Sequence, residues 1–302
     1  MSATKTLSSE TSIPRTSLHR IIADGVEVFY RAAGPVDAPV VLLLHGFPTS
    51  SHMFRELIPR LATRYRVIAP DLPGFGFTTI LEERNYTYSF DSLATTMLAF
   101  VNTLGLERYA LYVFDYGAPV GFRLAVAQPD RVAAIISQNG NAYEEGLSYA
   151  WDAIRRYWDE RRPEQDRDAL HQSFLTFEAT RAQYTTGVKD PETIAPESYI
   201  LDWALLQRPG NREIQLDFLV NYGSNIALYP VFQKYFREAT PPLLAIWGKN
   251  DPFFTPAGAD AFRNDNPNAK VELLDTGHFA LETHVDEIAS SIHRFLDPVR
   301  WR

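Results

Sequence analysis

Short apolar, β-rich runs alternate with longer amphipathic stretches, and that alternation leaves the chain few ways to fold. Residues 26–31, 40–44, 66–69, 109–114, 133–137, 243–247 and 271–274 read as strands. Residues 53–63, 89–104 and 120–128 carry helical periodicity between them. Strands that alternate with helices imply a mostly parallel central sheet flanked by helices on both faces.

The alternation stops between Asn139 and Thr240. That stretch reads as helical and is crowded with aromatics, among them Tyr149, Trp151, Tyr157, Trp158, Tyr222 and Tyr229. Pro241 and Pro242 then precede a return to buried strand. The expected organisation is a first core part over 19–139, an inserted helical cap over 140–240 and a second core part over 241–302.

A formal net charge of -8 without a block of Lys or Arg argues against nucleic acid and against an anionic membrane as partners. The absence of cysteine excludes disulfides and thiolate catalysis. The longest apolar runs are strand-length, too short to span a bilayer. The Ser- and Thr-rich leader before His19 has no apolar h-region, so an unpacked leader is expected rather than a secretory signal. A cytoplasmic protein is the resulting expectation, and a homodimer is compatible with it.

The segment from Leu111 to Gly121 carries the most chemistry. A buried strand runs into Asp115, then Tyr116 and Gly117, then a helix, the strand–turn–helix context of a nucleophile elbow. Val113 stands where glycine is more common. A serine there attacks carbonyl carbon. An aspartate is suited to displacement at saturated carbon, leaving an alkyl ester on the enzyme. Gly146-Leu147-Ser148-Tyr149-Ala150 partly matches the serine motif, but no strand leads into it.

Of seven histidines, His45 and His278 lie at the C-terminal ends of predicted strands, where doubly wound sheets gather their sites. His278 is placed to take a proton from water. Asp251, after the preceding strand, is placed to orient it, with Glu144 or Glu145 as the other candidate acid. The backbone N–H groups of Phe47 and Tyr116 are candidates for binding a developing negative charge, and a cis bond before Pro48 would aim the Phe47 amide inward.

The order His45-Gly46-Phe47-Pro48, Gly74-Phe75-Gly76-Phe77-Thr78, Asp115-Tyr116-Gly117, Asp251, His278 resembles the α/β-hydrolase superfamily, in its epoxide hydrolase and haloalkane dehalogenase branch. The likeness runs roughly from His19 to Leu296. It implies an α/β-hydrolase fold with Asp115 as nucleophile, His278 as base and Asp251 as charge-relay acid. It also implies cap tyrosines that protonate an epoxide oxygen, for which Tyr157 and Tyr222 are the candidates, with Tyr149 and Tyr229 as rivals. His45, Trp151 and Trp158 are the expected substrate contacts, and no cofactor or metal is expected. The expected activity is epoxide hydrolysis to a vicinal diol on an apolar or aromatic substrate. The alternatives are haloalkane dehalogenation, against which Tyr116 and Phe47 count, and a non-catalytic ligand-binding protein of the same fold.

Overall fold

The computed structural model describes residues 14–160 and 163–301. The expected leader falls largely on residues 1–13, outside the described residues. The strands are β1 (Ser17–Ala23), β2 (Val26–Ala33), β3 (Val40–Leu44), β4 (Arg66–Pro70), β5 (Thr79–Ile80), β6 (Tyr109–Phe114), β7 (Val132–Gln138), β8 (Leu243–Gly248) and β9 (Lys270–Leu274). Helices α1 (Leu57–Leu61), α2 (Phe90–Thr103) and α3 (Gly117–Ala127) connect the first strands. Between β7 and β8 come α4 (Asp152–Glu160), α5 (Pro163–Phe174), α6 (Phe177–Thr185), α7 (Pro196–Leu206), α8 (Asn211–Asn221) and α9 (Gly223–Ala239). Helices α10 (Pro256–Asp265) and α11 (Leu281–Leu296) close the chain.

The sheet order is β1-β2-β4-β3-β6-β7-β8-β9, with β5 on β2. Pairings from β4 through β9 are parallel, and only those involving β2 are antiparallel. Two strands escape the sequence reading. β1 is mostly exposed and β5 has two residues, so neither carries a buried apolar run. β1 also begins at Ser17, inside the stretch expected to be an unpacked leader.

The central strands are apolar without alternation because both faces are covered. In β3, Leu42 and Leu44 point into one core with Leu93, Met97 and Phe122. Val41 and Leu43 point into the other with Leu57, Ile58 and Ile292. Truncating Leu42 or Leu43 to Ala would cost about 2–5 kcal/mol, since both are fully buried.

Parallel strands bring their C-terminal ends to one edge. The loops after β3, β6, β7, β8 and β9 therefore converge, carrying Phe47, Asp115, Asn139, Asp251 and His278. The helical segment α4–α9 leaves the sheet at this edge, after β7, and the chain returns to the opposite edge to begin β8. Helix α6 is tied to the C-terminal edge by Tyr184, whose ring stacks on Phe279 at 3.8 Å and whose hydroxyl donates to Asp202.

Candidate active site

Asp115 occupies the turn between β6 and α3 with φ +46°, a left-handed conformation that few non-glycine residues adopt. The neighbouring glycines make the turn fit. A Cβ on Gly117 would lie 2.2 Å from the Leu44 carbonyl oxygen, and one on Gly121 would lie 2.5 Å from Val113 Cγ1. The β-branched residue before the elbow is thus accommodated by a glycine one helical turn beyond it. The Asp115 side chain does not cap α3. It lies over Gly46, where an added Cβ would come within 2.2 Å of Oδ1.

The Phe47–Pro48 peptide is cis. The Phe47 N–H donates to Asp115 Oδ1 at 2.6 Å. Burial pushes the Asp115 carboxyl up to about 6, against the pull of His278 and of the Phe47 and Tyr116 N–H groups. One oxygen is therefore pinned by backbone, while Oδ2 faces His278 Nε2 across 3.9 Å.

His278 is fully buried. Its Nδ1 lies 2.7 Å from Asp251 Oδ2, which fixes Nδ1 as the protonated nitrogen and turns Nε2 toward Asp115. Nε2 has no hydrogen-bond partner among the described residues. Burial alone would lower the His278 pKa, but the charge and hydrogen bond of Asp251, with Asp115, hold it above its ordinary value. Asp251 is itself held: Asn139 Nδ2 donates to Oδ2 at 2.7 Å and the Phe253 N–H to Oδ1 at 2.7 Å. Asn139, also at positive φ, accepts from the Gly248 N–H through Oδ1 at 2.9 Å. Glu144 and Glu145 are exposed and take no part. Ser148 donates to the Pro252 carbonyl and does not face the cavity.

A cavity opens above Asp115, walled by Trp151, Ile154, Phe174, Leu219 and Phe253, with Gln183 as its polar side chain from the α4–α9 segment. Several expected contacts are placed elsewhere. His45 lies beneath the site: the Leu72 N–H donates to its Nε2 at 2.9 Å and its Nδ1 lies 3.0 Å from the Gly46 carbonyl, so it pins two loops as a neutral ring. The Tyr157 hydroxyl lies beside Arg167, which bonds Glu213 and Asp217. The Tyr222 ring stacks on Trp151 at 4.3 Å, and its hydroxyl lies 3.5 Å from that of Tyr229. Neither tyrosine borders the cavity, and Tyr149 points into solvent. Trp151 lines the cavity with its ring but spends its N–H on the Phe253 carbonyl. Trp158 is off the cavity and donates to the Leu219 carbonyl.

Sequence reasoning missed Asn139 and Gln183. Asn139 had a readable signal, since it follows a strand at the same sheet edge as the other site residues. Gln183 had none. Among the described residues no group of three or more His, Asp or Glu side chains could hold a metal ion, and no helix is long and apolar enough to cross a membrane.

An aspartate on a tight elbow, a buried His–Asp pair and a cis turn contributing a backbone donor, all on one edge of a mostly parallel sheet, define an α/β hydrolase. The chain belongs to the alpha/beta hydrolase fold family, whose model matches residues 39–285. It is 50% identical over 280 residues to the uncharacterized hydrolase YNR064C of Saccharomyces cerevisiae, covering 91% of this chain and 95% of that one. It is 29% identical over 263 residues to haloalkane dehalogenase 2 of Mycobacterium bovis, covering 84% and 86%. Among solved structures, haloalkane dehalogenase DbeA from Bradyrhizobium elkani USDA94 matches with TM-score 0.75 at 24% identity, over 93% of this chain and 98% of that chain. The ligand-free epoxide hydrolase CorEH matches with TM-score 0.76 at 20% identity, over 94% and 99%. At these identities the two structural matches speak to the fold.

Proposed function

We propose that the protein hydrolyses epoxides to vicinal diols through an alkyl ester on Asp115. The observation that carries this reading is the hydrogen bond from the Phe47 N–H to Oδ1, which leaves Oδ2, on the His278 side, as the attacking oxygen. Oδ2 bonds to an epoxide carbon, the ring C–O bond breaks, and its electron pair stays on the oxygen, which takes a proton. His278 Nε2 then removes a proton from water. The resulting hydroxide adds to the ester carbon, and Oδ1 becomes an oxyanion held by the Phe47 and Tyr116 N–H groups. Collapse breaks the Cγ–Oδ2 bond, the imidazolium protonates the departing diol oxygen, and the Asp115 carboxyl ionises, releasing the proton that balances the one the epoxide oxygen took from water.

The helices between β7 and β8 act in this reading as a cap. Their apolar wall, from Trp151 to Phe174 and Leu219, favours an apolar substrate. The second reading is haloalkane dehalogenation, which the curated relatives of that name favour. Against it stand the indole N–H groups of Trp151 and Trp158, both committed to carbonyls, and the Phe47 side chain, which has no donor. Incubation with apolar epoxides and with 1-haloalkanes separates the two. Diol without halide release is expected; halide release without diol formation would move the function to dehalogenation.

A further inference from the structure

The wall of the cavity opposite Asp115 is apolar apart from one side chain. Gln183, on α6, is 5% exposed and borders the same cavity as Asp115. A polar side chain set among apolar ones in a cavity wall is placed to orient a ligand by a hydrogen bond to it.

Its position is set by the catalytic loops rather than by chance packing. Tyr184, the next residue, stacks on Phe279, which follows His278. The Thr176 hydroxyl caps α6 by accepting from the Ala179 N–H at 3.1 Å. Beyond the other end of the helix, backbone meets backbone: a Cβ on Gly277 would lie 1.9 Å from the Thr186 carbonyl oxygen, and one on Gly187 would lie 2.5 Å from the Asn250 carbonyl oxygen. Asn250 Nδ2 also donates to the Gly187 carbonyl at 3.0 Å. The loops that carry Asp251 and His278 therefore clamp α6, and Gln183 inherits their rigidity.

We infer that Gln183 contacts the substrate, its carboxamide N–H donating to the oxygen that gains charge as the epoxide C–O bond breaks. The inference rests on the epoxide reading above and assigns to one amide the task expected of Tyr157 and Tyr222. As Oδ2 bonds to carbon and the ring C–O bond breaks, the electron pair on oxygen is stabilised by this hydrogen bond. A carboxamide keeps its proton, so the oxygen takes one from water. Ester hydrolysis, which uses His278 and the Phe47 N–H, does not involve Gln183.

Quenched-flow intact-mass measurement with styrene oxide resolves the two steps. Gln183→Leu is expected to slow formation of the Asp115 ester by about tenfold or more, the loss of one hydrogen bond to a charged atom, and to leave ester hydrolysis within about twofold. Gln183→Glu, which keeps the shape and presents acceptors at neutral pH, is expected to slow the same step and covers the case in which the Leu variant does not fold. Ester formation at the native rate in a folded variant overturns the inference. So does equal slowing of both steps, which would make Gln183 structural. The failed reading is distinguishable: no ester on Asp115 in the unsubstituted enzyme or in His278→Ala overturns the epoxide mechanism and this inference with it.

Discussion

The Phe47 N–H and Asp115 Oδ1 lie 2.6 Å apart, and the residue beneath that bond has no room for a side chain. A Cβ on Gly46 would come within 2.2 Å of Oδ1 and 2.4 Å of the Tyr116 nitrogen. Gly46→Ala must therefore displace either the carboxylate or the amide that holds it. A misplacement of that size costs on the order of a hundredfold in turnover. Steady-state kinetics on an epoxide, with circular dichroism to verify folding, measures it.

The pH dependence follows from burial. In the proposed mechanism Asp115, whose carboxyl burial pushes up to about 6, must be ionised to attack. The rate constant kcat/KM is expected to fall as pH drops through about 6, with an apparent pKa belonging to the Asp115–His278 pair. Once Asp115 is esterified its charge is gone, and one of the influences raising the His278 pKa goes with it. The base is then easier to keep neutral in the intermediate than in the free enzyme. Profiles of kcat/KM and kcat against pH should therefore show the acid limb of kcat at the lower pH when ester hydrolysis limits turnover.

Much of this site was legible because its residues sit where strands end. Asp115 and Asp251 follow the buried apolar strands β6 and β8, and His278 follows the edge strand β9; the backbone just beyond a strand is fixed by the sheet. The contacts from the α4–α9 segment were not legible. Tyr157 and Tyr222 share their residue type with the expected proton donors, but a helical segment turns its side chains by packing that one sequence does not display. Tyr222 spends itself in an aromatic cluster with Trp151 and Tyr116. His45 had the right position at a strand end yet points back into the loops. Strand β1, whose Leu18 and Ile22 are exposed, lacks the buried pattern by which strands are found.

Asp115 is expected to reduce stability. Its folded value of about 6 lies above the ~3.9 of an unfolded carboxylate, so the folded state prefers the protonated form. The stability this gives is complete below about pH 4 and is lost as pH rises through about 6, a difference of roughly 3 kcal/mol. Asp115→Asn, which tolerates the positive φ, should raise Tm by about 5 °C at pH 8 and leave it nearly unchanged at pH 4, while abolishing turnover. Thermal unfolding at the two pH values tests this.

Asn139 is expected to act by holding Asp251. Asn139→Gly keeps the positive φ but removes the 2.7 Å hydrogen bond to Oδ2. One hydrogen bond to a charged group is worth about 1.5–3 kcal/mol, so kcat should fall ten- to a hundredfold, with KM little changed. A matching loss in the ester-hydrolysis step, with ester formation near the native rate, would place the defect on His278.

The central claim is that Asp115 carries the substrate, and His278→Ala tests it most directly. Without the base, the ester should form and persist. Intact mass after incubation with an apolar epoxide is expected to rise by the mass of the epoxide, with peptide mapping placing the addition on Asp115. A folded His278→Ala protein that gains no mass, while the unsubstituted enzyme turns the same epoxide into diol, would contradict the account.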